Sequence, residues 1–387
     1  MISYHRIFLN IGALLSVCMI CHVSRSQATP SYWDTPVPYQ VPAPAAPETC
    51  AACHSDKYSD WAASRHAHAF SPGLLGQIID YDRADAANCL GCHAPLAEQQ
   101  ALLLESDFDV LFSDRKTHDP ELLARHGVFC AACHLRSGVM HAPSITTPDT
   151  GTRVHQQVKV EPLMRDSLFC SNCHQFDATE SINGKPLQNT YREWLESPYA
   201  EQGKTCQHCH MPKKAHLFRG IHDPDMVRQG LTISTRFNQA SAELIIRSTG
   251  IGHRFPTYSV PRVRISGTLI GPDNNPLPGG YHEITLQRHV TVDGNRWIEL
   301  SDTRLKPGES ARLNIPWSQG SHCASAIIFR IIIEPEWYYY EKVYPTVLEE
   351  LELGPGHDLI KQAKSLAETR NYALFEKTIS NICRDDD

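Results

Sequence analysis

The sequence predicts an α + β multidomain chain: a mainly helical and irregular N-terminal domain, then an antiparallel β-sandwich and a C-terminal helix. Three observations carry that expectation. Five Cys-x-x-Cys-His motifs fall at near-even spacing between residues 50 and 210. Seven short runs rich in Ile, Val, Thr and aromatics follow residue 229. Apolar residues at helical spacing then occupy much of the stretch from His357 to Cys383.

The chain opens with Arg6 and an apolar run from Ile7 to Ile20, followed by Ser26-Gln27-Ala28 with small residues at the −3 and −1 positions of a cleavage site. That is the pattern of a secretory signal peptide over residues 1–28, and it implies a periplasmic or extracellular protein. The run is shorter than the roughly 20 residues a membrane span needs. A sixth motif copy, Cys18 to His22, lies inside this leader and is expected to leave with it. Membrane association is then expected only through a partner or an uncleaved leader. Residues 29–48 form a Pro-rich arm, with an extended tether-like character that Tyr32, Trp33 and Tyr39 could lay across a surface.

Residues 49–228 contain the five motifs, at Cys50–His54, Cys89–His93, Cys130–His134, Cys170–His174 and Cys206–His210. At this composition chance gives about 0.03 copies in the whole chain. In each motif two thiols (Cys50 and Cys53, Cys89 and Cys92, Cys130 and Cys133, Cys170 and Cys173, Cys206 and Cys209) can attach a porphyrin through thioethers. The adjacent histidine (His54, His93, His134, His174 or His210) reaches the iron as proximal ligand. Zinc needs four ligands and does not require a histidine directly after the second cysteine. Five covalently bound haem c groups are the expected cofactors. First cysteines of successive motifs are 39, 41, 40 and 36 residues apart, so little polypeptide serves each haem and the porphyrins must form much of the core.

The second axial ligand decides the work of each iron: a second histidine favours electron transfer, and an open face admits a substrate. Fourteen histidines lie outside the motifs once the leader is removed. The distal candidates by position are His66 and His68 after the first motif, His126 before the third, His155 between the third and fourth, and His216 and His222 after the fifth. His118 and His141 are nearby loop residues. His208 reads as a spacer, and Met211 is badly placed to reach the opposite face of its own iron. His253 stands apart, in Gly250-Ile-Gly-His-Arg-Phe-Pro-Thr257. Glycine frees that backbone and proline stiffens it, so the loop either caps a sheet end or reaches across to ligate a haem.

Residues 229–345 read as the β domain, with runs at 232–237, 242–248, 262–270, 283–292, 296–300, 310–317 and 324–334 separated by turns such as Pro272-Asp273-Asn274-Asn275. Residues 346–387 read as a helical segment packed on the sandwich. Ten cysteines go to haem and two leave with the leader, so Cys323 and Cys383 remain as either a disulfide or two buried thiols. The formal charge of −7 becomes about −9 without the leader. Nucleic acid is thus not an expected partner, whereas a redox protein with a basic patch is.

Tyr58–Phe70, Cys89-Leu-Gly-Cys-His-Ala-Pro95, Gly127-Val-Phe-Cys130, Phe169–Phe176, Thr190–Ala200 and Cys206–Pro212 resemble exported multihaem c-type cytochromes. That group includes the tetrahaem cytochromes of ammonia oxidisers. The loop around His253 is similar to one found where such cytochromes carry a C-terminal β domain. The resemblance spans roughly residues 48–260 and implies closely packed bis-His haems. It supports His66, His155, His216 or His222, and His253 as distal ligands. The tetrahaem relatives hold four haems with one five-coordinate iron, so their assignment does not transfer haem by haem. The resulting expectation is an exported pentahaem cytochrome passing electrons between a redox donor and an acceptor. Its rivals are a reductase or oxidase of a small nitrogen or sulfur compound with one open haem, and a homo-oligomer or haem-lined filament.

Overall fold

The computed structural model describes residues 37, 46–79, 81–105, 126–144, 155, 157–178, 181–238, 240–293, 296–316, 318–319 and 322–380. The leader 1–28, most of the Pro-rich arm, His118 and Cys383 lie outside them.

The N-terminal region is built from short helices and loops. Asp82 starts the Arg83–His93 helix by accepting hydrogen bonds from Ala84 N and Asp85 N, both at 2.9 Å. The helix stops at His93 because Pro95 forces Ala94 out of the helical region. Three further motifs end single short helices, Cys130–His134, Leu168–His174 and Cys206–His210. One turn carries the cysteines and the histidine to a common side, which is why the motif needs no longer element. The stretch 58–70 is helical only to Ala62, and 190–199 breaks at Ser197-Pro198 into Thr190–Leu195 and Pro198–Glu201. Val37 of the arm is fully buried and pairs with Leu96, with Val37 N donating to Pro95 O at 2.6 Å.

The C-terminal half holds two antiparallel sheets. Leu231–Phe237, Ser241–Ser248 and Ser310–Pro316 form one, with Ser241–Ser248 central. The other has the order Tyr372–Ser380, Ala326–Glu334, Arg262–Ile270, Pro276–Leu286. Ile327, Phe329, Ile331 and Ile333 alternate onto one face of the second sheet and meet Leu244, Ile246 and Ile315 of the first in a single apolar core. Gly267 allows the close approach, since a Cβ there would collide with Ile315 and Phe329. The expected single run 283–292 is two strands. Pro276–Leu286 stays in the sheet, and Arg288–Asp293 leaves it to pair with Arg296–Asp302.

The helical reading of 346–387 needs correction. Helices Tyr344–Glu350 and Pro355–Thr369 are followed by the Tyr372–Ser380 strand, an edge of the four-stranded sheet. Pairing along Ala326–Ile333 satisfies this segment's backbone and buries Leu374, which outweighs its weak helical periodicity. Nor does the Pro355–Thr369 helix simply lie on the sheets. It reaches back to the N-terminal Pro72–Ile78 helix, where Gly73 and Gly76 leave room only for Tyr344, Ile360 and Ala363.

Candidate haem-binding site

Among the described residues, the motif histidines His54, His134, His174 and His210 each face another histidine ring. His54 faces His155 with ring centres 6.3 Å apart, and His66 faces His174 at 6.2 Å. His134 faces His216 at 6.1 Å, and His210 faces His253 at 6.4 Å. A metal–imidazole bond is about 2.0–2.1 Å, and a ring nitrogen lies roughly 1.2 Å from its ring centre for bonds of this length. Two imidazoles across one iron therefore have centres roughly 6.5 Å apart, and the four pairs, at 6.1–6.4 Å, come close to that spacing. Among the described residues no group of three or more His, Cys, Asp or Glu could hold a metal ion. Two opposed nitrogens beside two thiols suit a planar cofactor that brings its own equatorial ligands, not a tetrahedral ion. The residues present fit haem c.

Burial favours the neutral form of His66, His174 and His253, and local contacts orient several of the rings. Burial is the largest cause of the lowered pKa at His66, to about 3, and at His174 and His253, each to about 4. Neutral imidazole is the form that ligates iron. The ring nitrogen away from the partner is held too: His134 Nδ1 lies 2.8 Å from His141 O and His210 Nδ1 2.5 Å from Arg219 O, and the motif ring of His93 makes the same kind of contact, Nδ1 2.7 Å from Ala69 O. Such acceptors fix the tautomer that leaves Nε2 for the metal. His174 differs, because the side-chain amide of buried Gln188 lies 3.3 Å from its Nδ1.

The facing histidines His66, His216 and His253 come from well-anchored segments. Val128 N donates to His66 O at 2.9 Å, and Trp61 Nε1 donates to Val128 O at 2.7 Å. Gly127 permits this threading, because a Cβ there would lie 2.7 Å from Ala69 N. His216 N donates to Asp60 Oδ2 at 2.9 Å, and its Nδ1 lies 3.1 Å from Lys214 O. The His253 loop is fastened to the N-terminal region. Tyr199 donates to Thr249 O at 2.6 Å, Thr190 and Thr257 share a hydrogen bond of 2.6 Å, and Arg254 N donates to Glu193 Oε2 at 3.2 Å. Buried Glu193 also meets buried Arg304 at 3.0 Å. On the other side Phe255 and Leu305 exchange two backbone hydrogen bonds.

The remaining distal candidates have other contacts. His222 Nε2 lies 2.9 Å from Glu336 Oε1, in a cluster where Arg65 and Arg370 bind the same carboxylate at 2.9 and 2.7 Å. Burial alone would raise the Glu336 pKa, but the His222 hydrogen bond and the two guanidiniums override it and hold it at about 2. His126 packs against Trp61 and Phe129, with Glu48 at 3.8 Å. His68 Nδ1 lies 2.9 Å from Ser64 O. Sequence reasoning gave no role to Glu193, Arg288, Arg304, Gln188, Phe218 or Glu336. Their importance comes from contacts with residues far along the chain, which no local pattern announces.

The motifs also lie against one another. Cys50 lies beside Cys130, Cys92 beside Cys173, and Cys170 beside Cys206. Backbone contacts agree for the last pair, since Cys206 N donates to Ser167 Oγ at 3.0 Å and Gln207 Nε2 to Asp166 O at 2.7 Å. The first and third motifs are therefore neighbours, and the fourth adjoins both the second and the fifth.

Residues 49–135 match the family described as cytochrome c554 and c-prime. A crystal structure of a penta-heme cytochrome c552 from Thermochromatium tepidum is similar in fold, with a TM-score of 0.58 at 19% identity. The match covers 90% of this chain and 100% of that one. No curated protein matches. The family match thus covers the first three motifs, the structural likeness is one of fold, and the five motifs and their facing histidines are the features that fit covalently bound haem c. Among the described residues, no helix is long and apolar enough to cross a membrane.

Proposed function

We propose that the protein is an exported pentahaem electron carrier in which at least four haems have two axial histidines. The pairs are His54 with His155, His174 with His66, His134 with His216, and His210 with His253. The observation that carries this reading is the four opposed rings at 6.1–6.4 Å, each pair containing one motif histidine. Haem supplies a one-electron iron couple when bound. The chain's own residues attach it, orient both imidazoles, exclude water and set the spacing between neighbours. A bis-His site is filled on both axial faces, which favours electron transfer over substrate binding. Five intact motifs after the leader, and the penta-heme character of the similar structure, support the count of five. The leader-like opening supports export to the periplasm.

Neighbouring motifs support a route from the first haem to the third and from the fourth to the second and the fifth, with the third and fourth sites joined where the Phe218 ring touches both His216 and His66. The decisive experiment is intact mass with pyridine haemochrome counting, followed by spectroscopy of the oxidised mature protein. Five covalent haems, predominantly low-spin, are expected. A dominant high-spin signal that responds to nitrite or hydroxylamine, with turnover, would replace the carrier by an enzyme.

A further inference from the structure

The loop after the fifth motif touches more than its own haem site. Phe218 N donates to His210 O at 3.1 Å, and the next carbonyl, Arg219 O, faces His210 Nδ1. Phe218 has φ of 45°, in the left-handed region where a bulky residue is rare and must be held by its surroundings. That backbone turns its ring onto two imidazoles. It lies 4.3 Å from His66 at 53° and 5.8 Å from His216 at 88°. These belong to different haem sites, His66 opposing His174 and His216 opposing His134.

The tilt of the ring pairs follows the same division. The two pairs in contact with Phe218 are tilted by 44° and 30°. The other two, His54 with His155 and His210 with His253, are nearly parallel, at 6° and 11°. An imidazole bound by Nε2 can still rotate about its bond to iron, so a side chain wedged against its face decides the angle. The His216 backbone N–H is held by Asp60 and its ring Nδ1 lies 3.1 Å from Lys214 O, whereas the ring of His66 takes its closest aromatic contact from Phe218.

We propose that Phe218 is a positioning residue that sets the axial ligand planes of the third and fourth haems together. The proposal rests on the ligand pairs assigned above. One side chain would thereby tune two successive sites of the electron path, because the angle between axial planes governs the orbital splitting of low-spin ferric iron.

The test is low-temperature electron paramagnetic resonance of full-length mature holoprotein, comparing wild type, Phe218→Ala and Phe218→Tyr at equal haem content. Phe218→Ala is expected to shift the largest g value of two low-spin signals and leave the others unchanged, while Phe218→Tyr keeps the wild-type spectrum. Should Phe218→Ala fail to yield holoprotein, Phe218→Leu, which keeps bulk but loses the flat face, is read by the same criteria. Unchanged signals in the Ala or Leu variant, a uniform shift of all signals, or an equal shift in Phe218→Tyr overturns the proposal and leaves the ligand pairs standing. High-spin iron at these sites in the wild type removes the ligand pairs and the proposal with them.

Discussion

Opposed imidazoles are useful only if each ring is held at its second nitrogen, and the partner differs between sites. His134 and His210 face backbone carbonyls, whereas His174 faces the side chain of Gln188. With Nε2 on iron, Nδ1 carries the proton, so the Gln188 amide must present its oxygen there. An acceptor at this position makes the imidazole more electron-rich and favours ferric iron. Gln188→Leu should therefore raise the potential of one haem and leave the others near their wild-type values, as read by spectroelectrochemical titration. His253→Ala should convert one low-spin haem to high-spin with the haem count unchanged, since thioether attachment does not use the distal ligand. An unchanged spin state would reduce His253 to a loop residue. The motif cysteines and histidines were legible because their spacing is the chemistry. Among the distal candidates, His66, His155, His216 and His253 were nameable but not assignable, since pairing depends on which loops meet in space. His222 shows the limit: it follows His210 by 12 residues, yet its ring is engaged by Glu336, 114 residues along the chain.

At the scale of elements, the loop 250–257 carries His253 because buried charges fasten it. Glu193 and Arg304 are 4% and 1% exposed at the side chain, so neither has water as an alternative partner. Arg304→Met should leave Glu193 buried with less compensation. Breaking such a pair costs about 3–5 kcal/mol, and limited proteolysis near Gln229 should quicken while haem content holds. A second fastening lies at Arg288, also fully buried, which pairs with Glu299 at 2.7 Å and donates to Lys185 O at 2.8 Å. It ties the 181–186 hairpin to the Arg288–Asp302 ribbon. Strands such as Arg262–Ile270 were readable from alternation and turn residues, because one buried face imposes a period of two. Tyr372–Ser380 was not. Its identity depends on an open edge beside Ala326–Glu334, a partner that local periodicity does not reveal.

Across the whole molecule, the C-terminal segment closes the chain back onto the N-terminal region. The Pro355–Thr369 helix packs on Pro72–Ile78, and Glu336 gathers Arg65, His222 and Arg370 from three distant segments. The Glu336 carboxyl sits at about 2 against an ordinary value of 4.5. A depressed folded pKa gives stability that is present above the unfolded value and lost as pH falls through the folded one. Thermal stability should therefore decline between about pH 4.5 and pH 2, and Glu336→Gln should flatten that part of the profile. A profile identical to wild type would remove Glu336 from this role. The central claim, that opposed histidines in this chain bracket covalent haems for electron transfer, is tested most directly by haem counting and magnetic circular dichroism on one sample of oxidised mature protein. The account predicts five haems with at least four low-spin bis-His signatures. Fewer than five haems, or fewer than four bis-His signatures, would contradict it.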